Sequence, residues 1–205
     1  MDNVRAIYGT WQARWYDPFK WLWNILAASQ AERDLSAFLR ENLDETKTIL
    51  ELGCGTALNL EKIFSLNLKF KSYLGVDFSP DMLRIARQKS RGYPNVEFRE
   101  IDITLLGDLN DKFDVLICTW VLSHLASPSS FVNQAQGLLK EHGKFFLIFF
   151  SEPKWYLRFW IAPLAMRIRS RCVGEEEVSK FKNVRKIRHY SGNMVAVAEI
   201  YQASA

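Results

Sequence analysis

The chain has 205 residues, 48% of them hydrophobic and 14% aromatic, with 27 Lys or Arg against 23 Asp or Glu and a formal net charge of +4. That length suits one domain with a comfortable buried core. Its three cysteines, Cys54, Cys118 and Cys172, fit neither a disulfide framework nor a metal-ligand spacing and point to a reducing cytoplasm. Arg5, Arg14 and Lys20 interrupt the early apolar runs, so no signal peptide is expected there, and no run is long enough to span a bilayer. Internal repeats and low-complexity tracts are absent from the sequence.

In chain order, Val4, Tyr8, Trp11 and Trp15 fall on one stripe at helical spacing. Asp17 and Pro18 stop that helix and start another, which carries Phe19, Leu22, Trp23 and Leu26 and runs on toward Leu43. Residues 1–46 thus read as amphipathic lid helices. Next comes the run Thr48-Ile49-Leu50-Glu51-Leu52-Gly53-Cys54-Gly55-Thr56-Ala57-Leu58. It reads as a strand ending in an acid, a turn whose glycines bring backbone close to a ligand, and a helix over Leu58–Ser65. A second strand, Tyr73–Asp77, ends in an acid placed to accept hydrogen bonds from ribose hydroxyls. Ser79 and Pro80 cap a helix predicted over Pro80–Lys89. Further parallel strands are predicted at Val96–Glu100, Val115–Cys118 and Lys144–Phe150, with a helix at Ser129–Lys140. Two alternating runs, Val184–Tyr190 and Met194–Gln202, flank a Ser191-Gly192-Asn193 turn and read as a hairpin. These elements make a nucleoside-binding α/β core over residues 47–150. A dinucleotide fingerprint is disfavoured, because Leu58 stands where its third glycine belongs.

The spacing Glu51-x-Gly53-x-Gly55 resembles motif I of class I S-adenosylmethionine-dependent methyltransferases, with Ala57 where that family usually has a further glycine. Four later segments resemble the family's motifs in order: Asp77–Leu83, Asn95–Asp102, Lys112–Leu125 and Leu138–Phe150. The resemblance implies a Rossmann-like, doubly wound α/β sheet of about seven strands, mostly parallel, with an antiparallel last strand and a helical N-terminal lid. It also implies S-adenosylmethionine as cofactor. It makes Asp102 the acid that faces the adenine amino group, with Ile103 along the ring. Glu51, Gly53, Cys54, Gly55, Asp77, Phe78, Met82 and Thr119 complete the expected cofactor-binding set in the core. The pattern Tyr8…Trp11…Tyr16-Asp17 is similar to the N-terminal region of quinone-type and bacterial phospholipid N-methyltransferases. That likeness adds Tyr8 as a cofactor contact and Tyr16 as a catalytic candidate.

Outside the core, residues 151–182 form a basic aromatic insertion, and residues 183–205 form the closing hairpin. From Lys154 to Arg188 ten Lys or Arg stand against Glu175, Glu176 and Glu177, a local excess of seven positive charges. Cations interleaved with Trp, Tyr and Phe suit a cap over an apolar pocket, an anionic lipid surface or a nucleic-acid groove. The density of rings favours the first two. The function expected is therefore methyl transfer to a hydrophobic or amphiphilic small-molecule or lipid acceptor. Peripheral contact at the inner membrane surface is expected through the N-terminal helices and residues 154–171. His124, after the fourth strand, is the candidate base for an acceptor that must lose a proton, and the alternative is that it orients its loop. A rival function is a non-catalytic cofactor-binding subunit that docks on a membrane or protein partner.

Overall fold

The computed structural model describes residues 27–155 and 171–202. The anticipated helices carrying Val4 to Leu26, and most of the run Lys154–Arg171, lie outside the described residues. Helix α1 (Ser29–Asn42) has no side-chain N-cap. Packing holds it in place of capping: Ala31, Leu35, Phe38 and Leu39 recur at helical spacing and are buried. The Phe38 ring centroid lies 4.8 Å from that of Phe146 in the sheet.

Strands and helices then alternate: β1 (Thr48–Leu52), α2 (Leu58–Ser65), β2 (Ser72–Asp77), α3 (Pro80–Lys89), β3 (Val96–Glu100), β4 (Phe113–Thr119), α4 (Pro128–Ala135), β5 (Leu139–Phe150), α5 (Glu175–Ser179), β6 (Val184–Tyr190) and β7 (Val195–Tyr201). The seven strands form one sheet in the order β3-β2-β1-β4-β5-β7-β6. The first five pair in parallel, and β7 runs antiparallel between β5 and β6. The mostly parallel sheet with an antiparallel last strand is borne out.

Alternation along β1 shows how the two faces are covered. Ile49 belongs to the apolar cluster shared with α1, α2 and α3, whereas Leu50 and Leu52 belong to the cluster with Phe131, Val132 and Ala135 of α4. Buried on both faces, the central strands are nearly continuous in apolar residues, as a doubly wound parallel sheet requires.

One boundary needs correction. The helix anticipated over Ser129–Lys140 stops at Ala135, gives a single tight turn over Gln136–Leu138, and becomes strand at Leu139. Leu139 pairs with Phe113, so the sheet claims the two residues that helical periodicity would have kept. Lys140 reaches Asp114 Oδ2 at 2.7 Å and Thr48 Oγ1 at 3.0 Å, which ties the new strand to the foot of the sheet. His142 then turns the chain with φ of +59°, and regular pairing resumes at Lys144.

Three junctions with the rest of the chain lie at one edge. The β6–β7 turn sits beside Phe150, the carboxyl end of β5, and Ser191 Oγ donates to the Ala27 carbonyl at 2.6 Å. The chain therefore enters α1 at the carboxyl edge of the parallel strands. Lys154 donates its amide to Gly192 at 2.9 Å, and Arg171 donates its amide to Ser123 at 3.1 Å, so the 151–173 connection also leaves and returns there. No helix among the described residues is long and apolar enough to cross a membrane.

Candidate functional site

Strand order reverses between β1 and β4, and the crevice outside the carboxyl ends of those strands is where open α/β sheets bind ligands. The turn after β1 forms one wall. Gly53 and Cys54 both donate their amides to the Val76 carbonyl, at 2.8 and 3.0 Å, which folds the turn back over β2. Gly53 has φ of +73°, and a Cβ there would overlap Val121 Cγ2 of the loop after β4. Gly55 has φ of +52°, but a Cβ there would meet no atom of the described residues within 4 Å. The first glycine makes room for protein, and the second leaves open space at the edge. Ala57 follows in the left-handed region, with φ of +64°, as the residue that opens α2. Alanine stands here where the resembling family usually has glycine, in a conformation that costs a non-glycine residue about 1 kcal/mol.

Asp77 closes β2 and is buried. Its Oδ2 accepts the Gly55 amide at 2.9 Å, and its Oδ1 accepts the Ser79 amide at 2.9 Å. Burial pushes this carboxyl above the usual aspartate range, while the amides of Ser79, Gly55 and Phe78 pull it back toward the ionised form. Ser79 Oγ in turn accepts the Met82 amide at 3.4 Å and caps α3, with Pro80 in the first turn. Asp77 is thus oriented from three sides before any ligand arrives.

Other anticipated residues occupy varied positions. Asp102 follows β3 at the same edge, where one oxygen accepts both the amide and the hydroxyl of Thr104, at 3.0 and 2.7 Å. Ile103 and Met82 are buried, at 6% and 3% exposure. Cys54 is buried too, with its Sγ beside Gly75, so the turn offers its backbone at that position. Phe78 is half-buried in the turn after β2, and Thr119 is half-buried at the tip of β4. His124 ends a tight turn over Leu122–His124, and burial lowers the pKa of its imidazole below the usual histidine value. Tyr8 and Tyr16 lie outside the described residues.

Glu51 shows what the sequence reading missed. Its carboxyl is 1% exposed. Asn59 Nδ2 donates to Oε1 at 2.8 Å and to Thr119 Oγ1 at 3.0 Å, and the Tyr73 hydroxyl donates to Oε2. Burial pushes Glu51 up to about 7 against the opposing pull of Tyr73 and Asn59. The available signals were small: an asparagine on the apolar side of α2 and a tyrosine in an otherwise aliphatic strand. Trp120 was also missed. It follows Thr119 with φ of +67°, a backbone region bulky residues rarely adopt, and its amide donates to the Ile148 carbonyl at 2.7 Å.

Fold and edge together define an α/β domain of the class I methyltransferase type. Residues 50–145 match the family described as "Methyltransferase domain". Over 108 residues the chain is 30% identical to a ubiquinone biosynthesis O-methyltransferase of Glaesserella parasuis, covering 49% of this chain and 44% of the relative. Over 162 residues it is 24% identical to the mitochondrial ubiquinone biosynthesis O-methyltransferase of Saccharomyces cerevisiae, covering 76% and 51%. The fold also superposes on a magnesium protoporphyrin IX methyltransferase of Synechocystis solved with bound SAH. The TM-score is 0.72 at 18% identity, over 98% of this chain and 99% of that one. The chain spans about half the length of the curated relatives it matches. Residues 50–145 thus match a methyltransferase domain, and the sheet has the fold of class I S-adenosylmethionine-dependent methyltransferases.

The cofactor of that family is S-adenosylmethionine, and the residues present fit it. The open space over Gly55 admits a ligand against the backbone. Asp77 is a carboxyl held in place by the Gly55 and Ser79 amides, an acceptor type that suits ribose hydroxyls, and acids at Glu51 and Asp102 suit a cofactor that carries positive charge and no phosphate.

Proposed function

We propose that this protein transfers the methyl group of S-adenosylmethionine to a hydrophobic or amphiphilic small-molecule or lipid acceptor. The observation that carries the reading is the edge built by Gly55 and Asp77, with the 2.9 Å bond between them. Bound there, the cofactor supplies an electrophilic methyl on a sulfonium, already activated. The chain's task is then alignment and exclusion of water. Gly53, Gly55, Asp77 and Asp102 hold the nucleoside, with Glu51, Cys54, Phe78, Met82, Ile103 and Thr119 around them. His124, kept neutral near pH 7 by burial, takes the proton from an acceptor hydroxyl or ammonium.

Acceptor choice falls to the two segments that join the fold at the same edge. In this reading residues 1–46 form a lid, with Tyr8 against the cofactor and Tyr16 near the transferred methyl. Residues 151–182 supply the basic aromatic cap over the acceptor, and the whole chain acts as one domain. Trp155, 76% exposed at the start of the undescribed stretch, suits an apolar ligand or the inner membrane surface. The relatives' names, concerned with ubiquinone biosynthesis and magnesium protoporphyrin IX, favour a small organic acceptor over a polymer.

Incubation with methyl-labelled cofactor and a whole-cell extract, followed by separation of organic, aqueous and polymer fractions, tests this. Label in the organic phase is the expected result. Label in precipitated protein or nucleic acid overturns the acceptor class. Cofactor binding with no transfer to any fraction favours the non-catalytic, docking subunit.

A further inference from the structure

Among the described residues, no positive charge pairs with Glu51. From β2 it faces Tyr73, with Asp77 at the strand's end. From the turn it faces Cys54, from α1 Glu32, from α2 Asn59, and from β4 the Cys118 thiol and, beyond the Asn59 amide, Thr119. Both of its hydrogen-bond donors are neutral. Asp77 and Glu32 are acids and oppose its ionisation. Lys62, the cation that α2 extends toward α1, is committed to Glu32 at 2.6 Å. Among the described ion pairs none includes Glu51. A carboxylate buried without a counter-charge keeps its proton until a cation arrives.

We propose that Asn59 and Tyr73 are positioning residues that hold Glu51 as a proton-exchanging counter-charge, so that cofactor binding releases a proton from Glu51. This rests on the S-adenosylmethionine reading above. The balance is simple: the Glu51 O–H bond breaks, the electron pair stays on the carboxylate, and the proton passes to solvent. The Glu51–Tyr73 contact serves both states. Glu51 donates across it when protonated and accepts when ionised. Asn59 has two amide hydrogens for two acceptors, so it pins the carboxyl relative to Thr119 Oγ1 at the rim. The burial that lifts Glu51 to about 7 places the exchange within the physiological range.

Isothermal calorimetry on the full chain, with S-adenosylmethionine and with S-adenosylhomocysteine in two buffers of different ionisation enthalpy, counts the protons. Close to one proton should be released near pH 6 and almost none near pH 8. Affinity should rise up to about tenfold per pH unit below 7 and level off above it. Glu51→Gln should bind more weakly, without pH dependence, and its difference from wild type removes the titration of the ligand's own amine. Asn59→Leu and Tyr73→Phe each lose a donor that favours the ionised form. Both should move the release midpoint to higher pH, a shift that a purely structural role would not produce. Intact wild-type binding with no proton release, or equal release from Glu51→Gln, overturns the proposal. If Glu51→Gln does not fold, an unmoved midpoint in both Asn59→Leu and Tyr73→Phe overturns it. Absence of binding by either ligand at every pH would instead sink the cofactor reading itself.

Discussion

The Asp77 carboxylate accepts the Gly55 backbone amide at 2.9 Å, joining the tip of the second strand to the turn that follows the first. Residues 22 positions apart thereby become one edge of the candidate site. Because the Ser79 amide holds the other carboxylate oxygen, Asp77 is pinned by the backbone of the turns after both β1 and β2.

Replacing Asp77 with Ala removes the acceptor offered to the ribose and leaves the Gly55 and Ser79 amides without their partner. Affinity for S-adenosylhomocysteine should fall by about 1–3 kcal/mol, roughly fivefold to 150-fold. Calorimetric titration measures this directly, and an unchanged dissociation constant would remove Asp77 from the ribose site.

Two glycines of the same turn should respond differently to one methyl group. Gly53→Ala drives Cβ into Val121 at φ of +73° and should cost about 1–3 kcal/mol of stability in urea unfolding. Gly55→Ala meets no atom of the described residues within 4 Å and should cost only about 1 kcal/mol. Its methyl instead enters the ligand's space, so cofactor binding should suffer more than folding. Equal destabilisation with unaltered binding would contradict the placement of the ligand over Gly55.

Glu51 makes a signed prediction about stability. Its folded value of about 7 lies above its ordinary value of 4.5, so the folded state holds a proton that the unfolded chain has released. Stability from this group is present below about pH 4.5 and declines as pH rises to about 7, by up to roughly 3 kcal/mol. Unfolding curves of wild type and Glu51→Gln should diverge across that window. Parallel curves would show that the folded carboxyl is not perturbed.

His124→Ala should slow methyl transfer by about 10²–10⁴ when the acceptor must lose a proton, with little effect on S-adenosylhomocysteine affinity. Burial lowers its pKa, so wild-type activity should hold at neutral pH and decline on the acid side of the usual histidine range as the imidazole protonates. Rates measured against pH for both proteins check the assignment, and an unaltered rate in the variant would return His124 to a loop-orienting role.

Local chemistry made much of the fold readable from the chain. Helices α2 and α3 and strand β3 have the anticipated bounds, because caps, Pro80 and apolar runs act over a few residues. The junction of α4 and β5 was misread for the complementary reason. Leu139 and Lys140 are strand because Phe113, Asp114 and Thr48 await them, a long-range pairing that overrides local periodicity.

The sequence by itself determined the order of strands and helices, the glycine turn and the acids at the strand tips, since each depends on residue type and spacing along a short stretch. Tertiary structure alone decided what surrounds those acids. Asn59 and Tyr73 look like ordinary core residues until the sheet brings them to Glu51, and only that burial among neutral donors lifts a motif carboxylate toward neutral pH.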